Sequence, residues 1–115
     1  MSGQLHEHCM DRATVLARVG GDLELLREIA ALFLDEYPRA LDDMRNALAS
    51  GDCKALENAA HGLKGSVANF GARAAEDAAF QLEQLGRART LEQAPRFLAS
   101  LEQALELLRV ELVSF

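Results

Sequence analysis

The chemically most suggestive feature of this sequence is a histidine with glycines and a lysine beside it. His61 is followed by Gly62, Lys64 and Gly65, and a turn of about 100° per residue sets Lys64 on the same helix face as His61. The apolar residues of the segment fall on the opposite side, so we expect His61 to project into solvent. A neutral imidazole is a nucleophile, and a nearby ammonium stabilises a transferring phosphoryl group.

The two glycines are unusual because they lie inside the predicted helix. Each costs about 1 kcal/mol relative to alanine at such a position. Gly65 lies one turn beyond His61 and Ala68 about one turn further, so the surface beside the imidazole is nearly bare and admits another protein's backbone. An exposed histidine is usually only solvated, and Gly65 also suits a close helix crossing. The residues alone therefore leave a functional and a structural interpretation open.

Helices are predicted to position these residues. Leu and Ala number 20 each, whereas Val, Ile and Thr together number eight, and this ratio favours helix over strand. We expect a helix from about Asp11 to Val19, then a long helix capped by Asp22 with a kink or a break at Pro38. Further helices are predicted over about 53–70 and over about 72–85 with Gly86 as the stop. A last helix is predicted from a Thr90–Gln93 capping box, or from nearer Ala94 because Pro95 fits that cap poorly, to about Val113.

The predicted fold class is all-α. The connections are short, so consecutive helices are expected to be antiparallel. This predicts an up-down-up-down four-helix bundle with a short N-terminal capping helix. A length of 115 residues suits one domain, which we assign to residues 11–115 after a flexible leader at residues 1–10.

Composition argues against several classes of function. The formal net charge of −6 makes nucleic acid an improbable partner. No apolar run is long enough for a membrane span, and the N-terminus does not resemble a signal peptide. Cys9 and Cys53 are interpreted as reduced thiols of a cytoplasmic protein. His6, His8 and Cys9 resemble a metal cluster but lack a fourth ligand, so we expect no metal site.

The segment around His61 resembles the signature of histidine phosphotransfer (HPt) domains. The motif is A-H-x-L-K-G-S at residues 60–66, followed by N-F-G-A at residues 69–72. The Leu-Glu-x-Leu-Gly sequence at residues 82–86 and the Ala-Leu-x-x-Gly-Asp sequence at residues 47–52 also fit that family. The similarity extends over nearly the whole chain.

The resemblance implies a role for each residue of the motif. His61 is the phosphorylated residue, with Nε2 the expected atom, and Lys64 is the adjacent cation. Gly62, Gly65 and Ala68 form the surface on which a partner docks, and Gly71 turns the chain between the central helices. Some family members place a glutamine against the other imidazole nitrogen. Counting back from the glycine at the helix end puts Glu83 at that place, with Gln81 and Gln84 less favoured and an ordinary solvated Glu83 left open.

The implied mechanism is a phosphorelay in which His61 accepts a phosphoryl group from a receiver-domain phospho-aspartate and passes it to another receiver. Response-regulator receivers and a hybrid sensor kinase are the implied partners. No cofactor is expected on this chain, because Mg²⁺ belongs to the receiver, and a monomer is the simpler expectation. Two alternatives stay open: an adaptor that binds without being phosphorylated, and a module of a larger hybrid kinase. An autonomous kinase is not favoured, since no glycine-rich phosphate loop occurs.

Overall fold

The protein is described here by a computed structural model covering residues 10–114, which form five helices and no strand. The helices are α1 (Arg12–Arg18), α2 (Leu23–Ser50), α3 (Cys53–Ala68), α4 (Arg73–Ala88) and α5 (Ala94–Leu112). Contacts join α2 to α3, α3 to α4, α4 to α5 and α5 back to α2, while α1 packs on α2. The predicted bundle with a short N-terminal helix is confirmed.

Helix α2 is continuous through Pro38, at which the sequence predicts a kink or a break. It spans 28 residues, although proline removes one intrahelical hydrogen bond. The Asp22 side chain accepts a hydrogen bond from the Leu25 amide, and Gly51 ends the helix in the left-handed conformation. The capped ends of α2 and the buried residues on both sides of Pro38 therefore stabilise the helix more than the single lost hydrogen bond destabilises it.

The turn between α3 and α4 begins two residues before the predicted end of the helix at Phe70. Helix α3 ends at Ala68, and Phe70 is buried although it lies outside the helix. Gly71 adopts a φ of 61°, a left-handed conformation that glycine adopts without steric cost. Gly71 therefore occupies the predicted turn, and the two helices that it joins make the most extensive interhelical contact in the described chain.

Gly86 does not stop α4, contrary to the prediction. The helix continues to Ala88, and Arg89 ends it with a φ of 61°. Gly86 is buried where α4 meets the start of α3: an added Cβ would lie 2.8 Å from the Cys53 carbonyl oxygen and 2.8 Å from the Glu57 amide nitrogen. The glycine is there because the two backbones approach too closely for a side chain.

Helix α5 begins at the later of its two predicted starts, not at the Thr90–Gln93 capping box. Its first residue is Ala94, Gln93 is the N-cap residue without a side-chain cap, and Pro95 lies in the first turn. Proline is well tolerated there because the first amide groups of a helix have no intrahelical acceptor. The position of Pro95 therefore sets the start of α5.

The core is made of Leu, Ala, Phe, Val and Met side chains from all five helices. Glu83 is the one charged residue buried among residues 10–114. The predicted leader at residues 1–10 lies outside the described residues except for Met10, which is buried. No helix in the described part of the chain is long and apolar enough to cross a membrane.

Candidate functional site

His61 projects from the middle of α3 into solvent while one of its nitrogens contacts α4. Its side chain is 68% exposed, and its Nδ1 atom lies 2.8 Å from Oε2 of Glu83. The exposed side chain follows from the helix pattern, since Ala60, Leu63 and Val67 of the same helix are buried. The arrangement holds the imidazole by Nδ1 and leaves Nε2 available.

Glu83 lies beneath the imidazole as an ionised carboxylate. Its hydrogen bond with Lys64, more than that with His61, lowers its pKa from the ordinary value of 4.5 although burial opposes this shift. A carboxylate can only accept hydrogen bonds, so Nδ1 of His61 must carry the proton. In the neutral imidazole, this proton position leaves the lone pair on Nε2.

Lys64 contacts the same carboxylate from the next turn of α3. Its Nζ atom lies 2.7 Å from Oε1 of Glu83, so the lysine and the histidine each contact a different oxygen of the carboxylate. On its other side, Nζ lies 5.4 Å from the centre of the Phe80 ring. The ammonium is therefore fixed on the α4 side of His61, close to where negative charge would arrive.

Arg87 extends the charged cluster by one turn towards the end of α4. Its Nη2 atom lies 3.4 Å from Oε2 of Glu83, and its Nε donates to Oε2 of Glu57 at 3.0 Å. That hydrogen bond is the main reason why the pKa of Glu57 is lowered. Glu83 is thus surrounded by His61, Lys64 and Arg87, which compensates the cost of burying its charge.

The surface on the other side of His61 is open. Gly62 and Gly65 are exposed, and within residues 10–114 no atom beyond the helix's own backbone lies within 4 Å of a Cβ added at either position. Ala68 is half-buried, and its carbonyl accepts a hydrogen bond from Arg18 of α1. A close helix crossing thus does not explain Gly65, and the bare surface is accessible to a second molecule.

The structure brings His61, Lys64 and Glu83 together and leaves the two neighbouring glutamines out of these contacts. Gln81 is exposed and Gln84 is half-buried. Residues 10–114 contain no cluster of three or more His, Cys, Asp or Glu side chains that could hold a metal ion. His6, His8 and Cys9 lie outside the described residues.

Sequence reasoning missed two residues of this site, Phe80 and Arg87. Each lies about one turn from Glu83 on the same face of α4, where helical neighbours at three- and four-residue steps meet. The sequence offers one signal for each residue. Phe80 is an apolar residue at an outward position, and Arg87 follows a buried glutamate by four residues. Neither is informative until the position of Glu83 is known.

Comparison with known proteins agrees with this site and fold. The family model of the Hpt domain matches residues 28–111, and the chain therefore belongs to the Hpt domain family, whose members are phosphocarrier modules of phosphorelays. Among solved structures, the chain is similar to histidine-containing phosphotransfer protein B (HptB) from Pseudomonas aeruginosa PAO1, with a TM-score of 0.85 and 23% sequence identity over 91% of each chain. No curated protein matches the sequence significantly.

Proposed function

We propose that this protein is a phosphorelay intermediate that carries a phosphoryl group on Nε2 of His61. The observation that carries the proposal is the 2.8 Å contact between Nδ1 of His61 and the Glu83 carboxylate. It leaves the reactive nitrogen in solvent with its lone pair free. Membership of the Hpt family supports the same function.

In the proposed reaction, the Nε2 lone pair attacks the phosphorus of a receiver-domain phospho-aspartate. A P–N bond forms, the P–O bond to the aspartate breaks, and the aspartate leaves as a carboxylate. The proton on Nδ1 stays in place, so the phosphorylated ring is an imidazolium whose charge is balanced by Glu83. Lys64 offsets the charge of the phosphoryl oxygens. Transfer to a second receiver reverses these steps.

The proposed partners are response-regulator receiver domains and a hybrid sensor kinase, with Mg²⁺ and the acidic pocket supplied by the receiver. Gly62, Gly65 and Ala68 form the proposed docking surface. A groove of about 260 Å³ between α2 and α3, lined in part by Tyr37 and Gly62, borders this surface and offers a partner apolar contact. We propose a monomer that acts in the cytoplasm through transient contacts of modest area.

Phosphoryl transfer from a labelled receiver tests the proposal directly. The wild type should acquire acid-labile, alkali-stable label, and His61→Gln should acquire none, because glutamine has no nucleophilic ring nitrogen. The chain has three histidines, so a double His6→Gln, His8→Gln variant is the matched control and should be labelled like the wild type.

Two results would contradict this function. Label that persists in His61→Gln would mean that another residue carries the phosphoryl group. Absence of label on the wild type with a broad panel of phosphorylated receivers would instead favour the adaptor that acts by binding only.

Gly65→Ala is expected to raise stability while it slows transfer. Alanine is favoured over glycine inside a helix by about 1 kcal/mol, and no described atom opposes the added methyl group. The same methyl group occupies the surface on which the receiver docks, where a poorly accommodated group costs about 1–3 kcal/mol. Urea denaturation and the dependence of transfer rate on receiver concentration measure the two effects.

The gain in stability serves as the internal control for Gly65→Ala, because it shows that the fold is intact. If transfer from the receiver is as fast as in the wild type, Gly65 is not part of the docking surface.

A further inference from the structure

Phe80 presents an aromatic ring at the surface of α4 and has no role in the mechanism described so far. The residue is 42% exposed and lies about one turn before Glu83. A single exposed apolar side chain needs no special explanation. This ring, however, faces the ammonium of Lys64, with 5.4 Å between Nζ and the ring centre. That distance is within the range of a cation–π contact.

Lys64 needs such a contact because its side chain is long and flexible. Its ammonium has one carboxylate partner at the site, Oε1 of Glu83 at 2.7 Å. The same carboxylate also contacts His61 and Arg87 through Oε2. The position of Lys64 beside the imidazole therefore depends on a shared anion and on the Phe80 ring.

We propose that Phe80 is a positioning residue for phosphoryl transfer, which acts by keeping the Lys64 ammonium over α4 next to His61. The inference rests on the function proposed above and adds a residue to it. The ring restricts where the lysine stem lies, while the ammonium stays able to turn from Glu83 towards the phosphoryl oxygens on Nε2.

An aromatic ring suits this task better than a second carboxylate. A carboxylate at residue 80 would bind the ammonium but would also repel the arriving phosphoryl group. The face of an aromatic ring attracts a cation through its quadrupole and carries no net charge. Phe80 thus holds Lys64 without adding to the negative charge that the site must neutralise.

The test is a mutant cycle between Phe80 and Lys64, with the initial rate of transfer from a phosphorylated receiver as the readout. Phe80→Leu, which keeps an apolar side chain but removes the ring, should slow transfer about two- to fivefold. Phe80→Tyr, which keeps the ring, should retain the wild-type rate. In a Lys64→Gln background, Phe80→Leu should cause no further loss. Leu107→Ala, at an exposed apolar position on α5, is the control for a general surface effect.

A second measurement follows the position of Lys64 without any receiver. In NMR spectra, a nearby ring shifts the ε-methylene resonance of Lys64 upfield, and this shift should disappear in Phe80→Leu and persist in Phe80→Tyr. Equal slowing by Phe80→Leu in both Lys64 backgrounds would overturn the inference, because Phe80 would then act on the receiver itself.

The two proposals can fail separately. A wild-type protein that takes up phosphoryl label but shows no ring-current shift at Lys64, or no slowing in Phe80→Leu, would overturn the role of Phe80 alone. A wild type that accepts no label from any receiver would overturn the proposed function and the role of Phe80 with it.

Discussion

Gly86→Ala is expected to lower the free energy of unfolding by about 2 kcal/mol. Filling a packed contact with a methyl group costs about 1–3 kcal/mol, occasionally more, and the better helix propensity of alanine returns about 1 kcal/mol. The packing cost should lie at the high end of this range, because the added Cβ would lie 2.8 Å from backbone atoms of Cys53 and Glu57. Backbone atoms cannot yield by changing rotamer, so α3 and α4 must move apart.

The same substitution is expected to disturb the site, because Glu83 precedes Gly86 by about one turn of α4. Separation of the helices lengthens the contact between Nδ1 of His61 and Oε2 of Glu83. Urea denaturation measures the loss of stability, and the Nδ1 proton resonance of His61 reports on the contact. Gly65→Ala is the matched control, since it changes a helical glycine with free space around it. Equal stability of Gly86→Ala and the wild type would refute the close-approach explanation.

Glu83→Ala is expected to slow transfer from a receiver about 10–100-fold, by analogy with residues that orient metal-ligating histidines, whose removal costs that much. Without the carboxylate, Nδ1 has no fixed acceptor, the proton distributes between the two ring nitrogens, and the phosphorylated imidazolium loses its counter-charge. Glu83→Gln retains an amide oxygen that can accept from Nδ1 but lacks the charge, so its rate should fall between those of the wild type and Glu83→Ala. Single-turnover transfer kinetics measure these differences.

Glu106→Ala is a suitable control for the Glu83 variants. Glu106 is exposed and pairs with Arg109 on α5, at a Nη2–Oε2 distance of 2.5 Å, so its removal changes charge without touching the site. If the Glu83→Ala variant accepts the phosphoryl group as fast as the Glu106→Ala variant, the carboxylate does not orient His61.

Acid pH should remove part of the stability that Glu83 contributes. Its pKa is lowered from 4.5 in the folded protein, so the contribution is present above the unfolded-state pKa and is lost as the pH falls through the folded-state value. The unfolding free energy of the wild type minus that of Glu83→Gln should therefore decrease as the pH falls below the unfolded-state pKa of the carboxyl group. Denaturation of both proteins from about pH 7 to about pH 3 checks the sign.

The outward position of His61 could be predicted from the sequence because it depends on one helix only. The apolar residues of α3 define its buried side, and His61 and Lys64 must then face outwards. The partner of His61 is a different problem, since it depends on the rotation of α4 relative to α3. Helix periodicity does not fix that rotation, and the choice of Glu83 over Gln81 and Gln84 required the family resemblance.

Two predictions that the structure contradicts, a stop at Gly86 and a break at Pro38, share a physical reason. A glycine near the end of a helical pattern can be a stop or a close approach, and only the neighbouring backbone at Cys53 and Glu57 decides between them. At Pro38, the buried residues on both sides keep the long helix continuous despite the local preference for a break. Local preferences of about 1 kcal/mol for glycine and about 3 kcal/mol for proline thus yield to tertiary contacts of several kcal/mol.

The three charged or nucleophilic side chains that contact Glu83 at the site, His61, Lys64 and Arg87, lie with it in residues 61–87, within one hairpin of two helices. The closing loop is short, so little chain entropy is spent in bringing the two helices together. Contacts of low sequence separation also form rapidly during folding, whereas the contact of α5 with α2 joins distant parts of the chain. The contacts that set the geometry at His61 thus belong to the most local part of the topology, against which α2 and α5 pack.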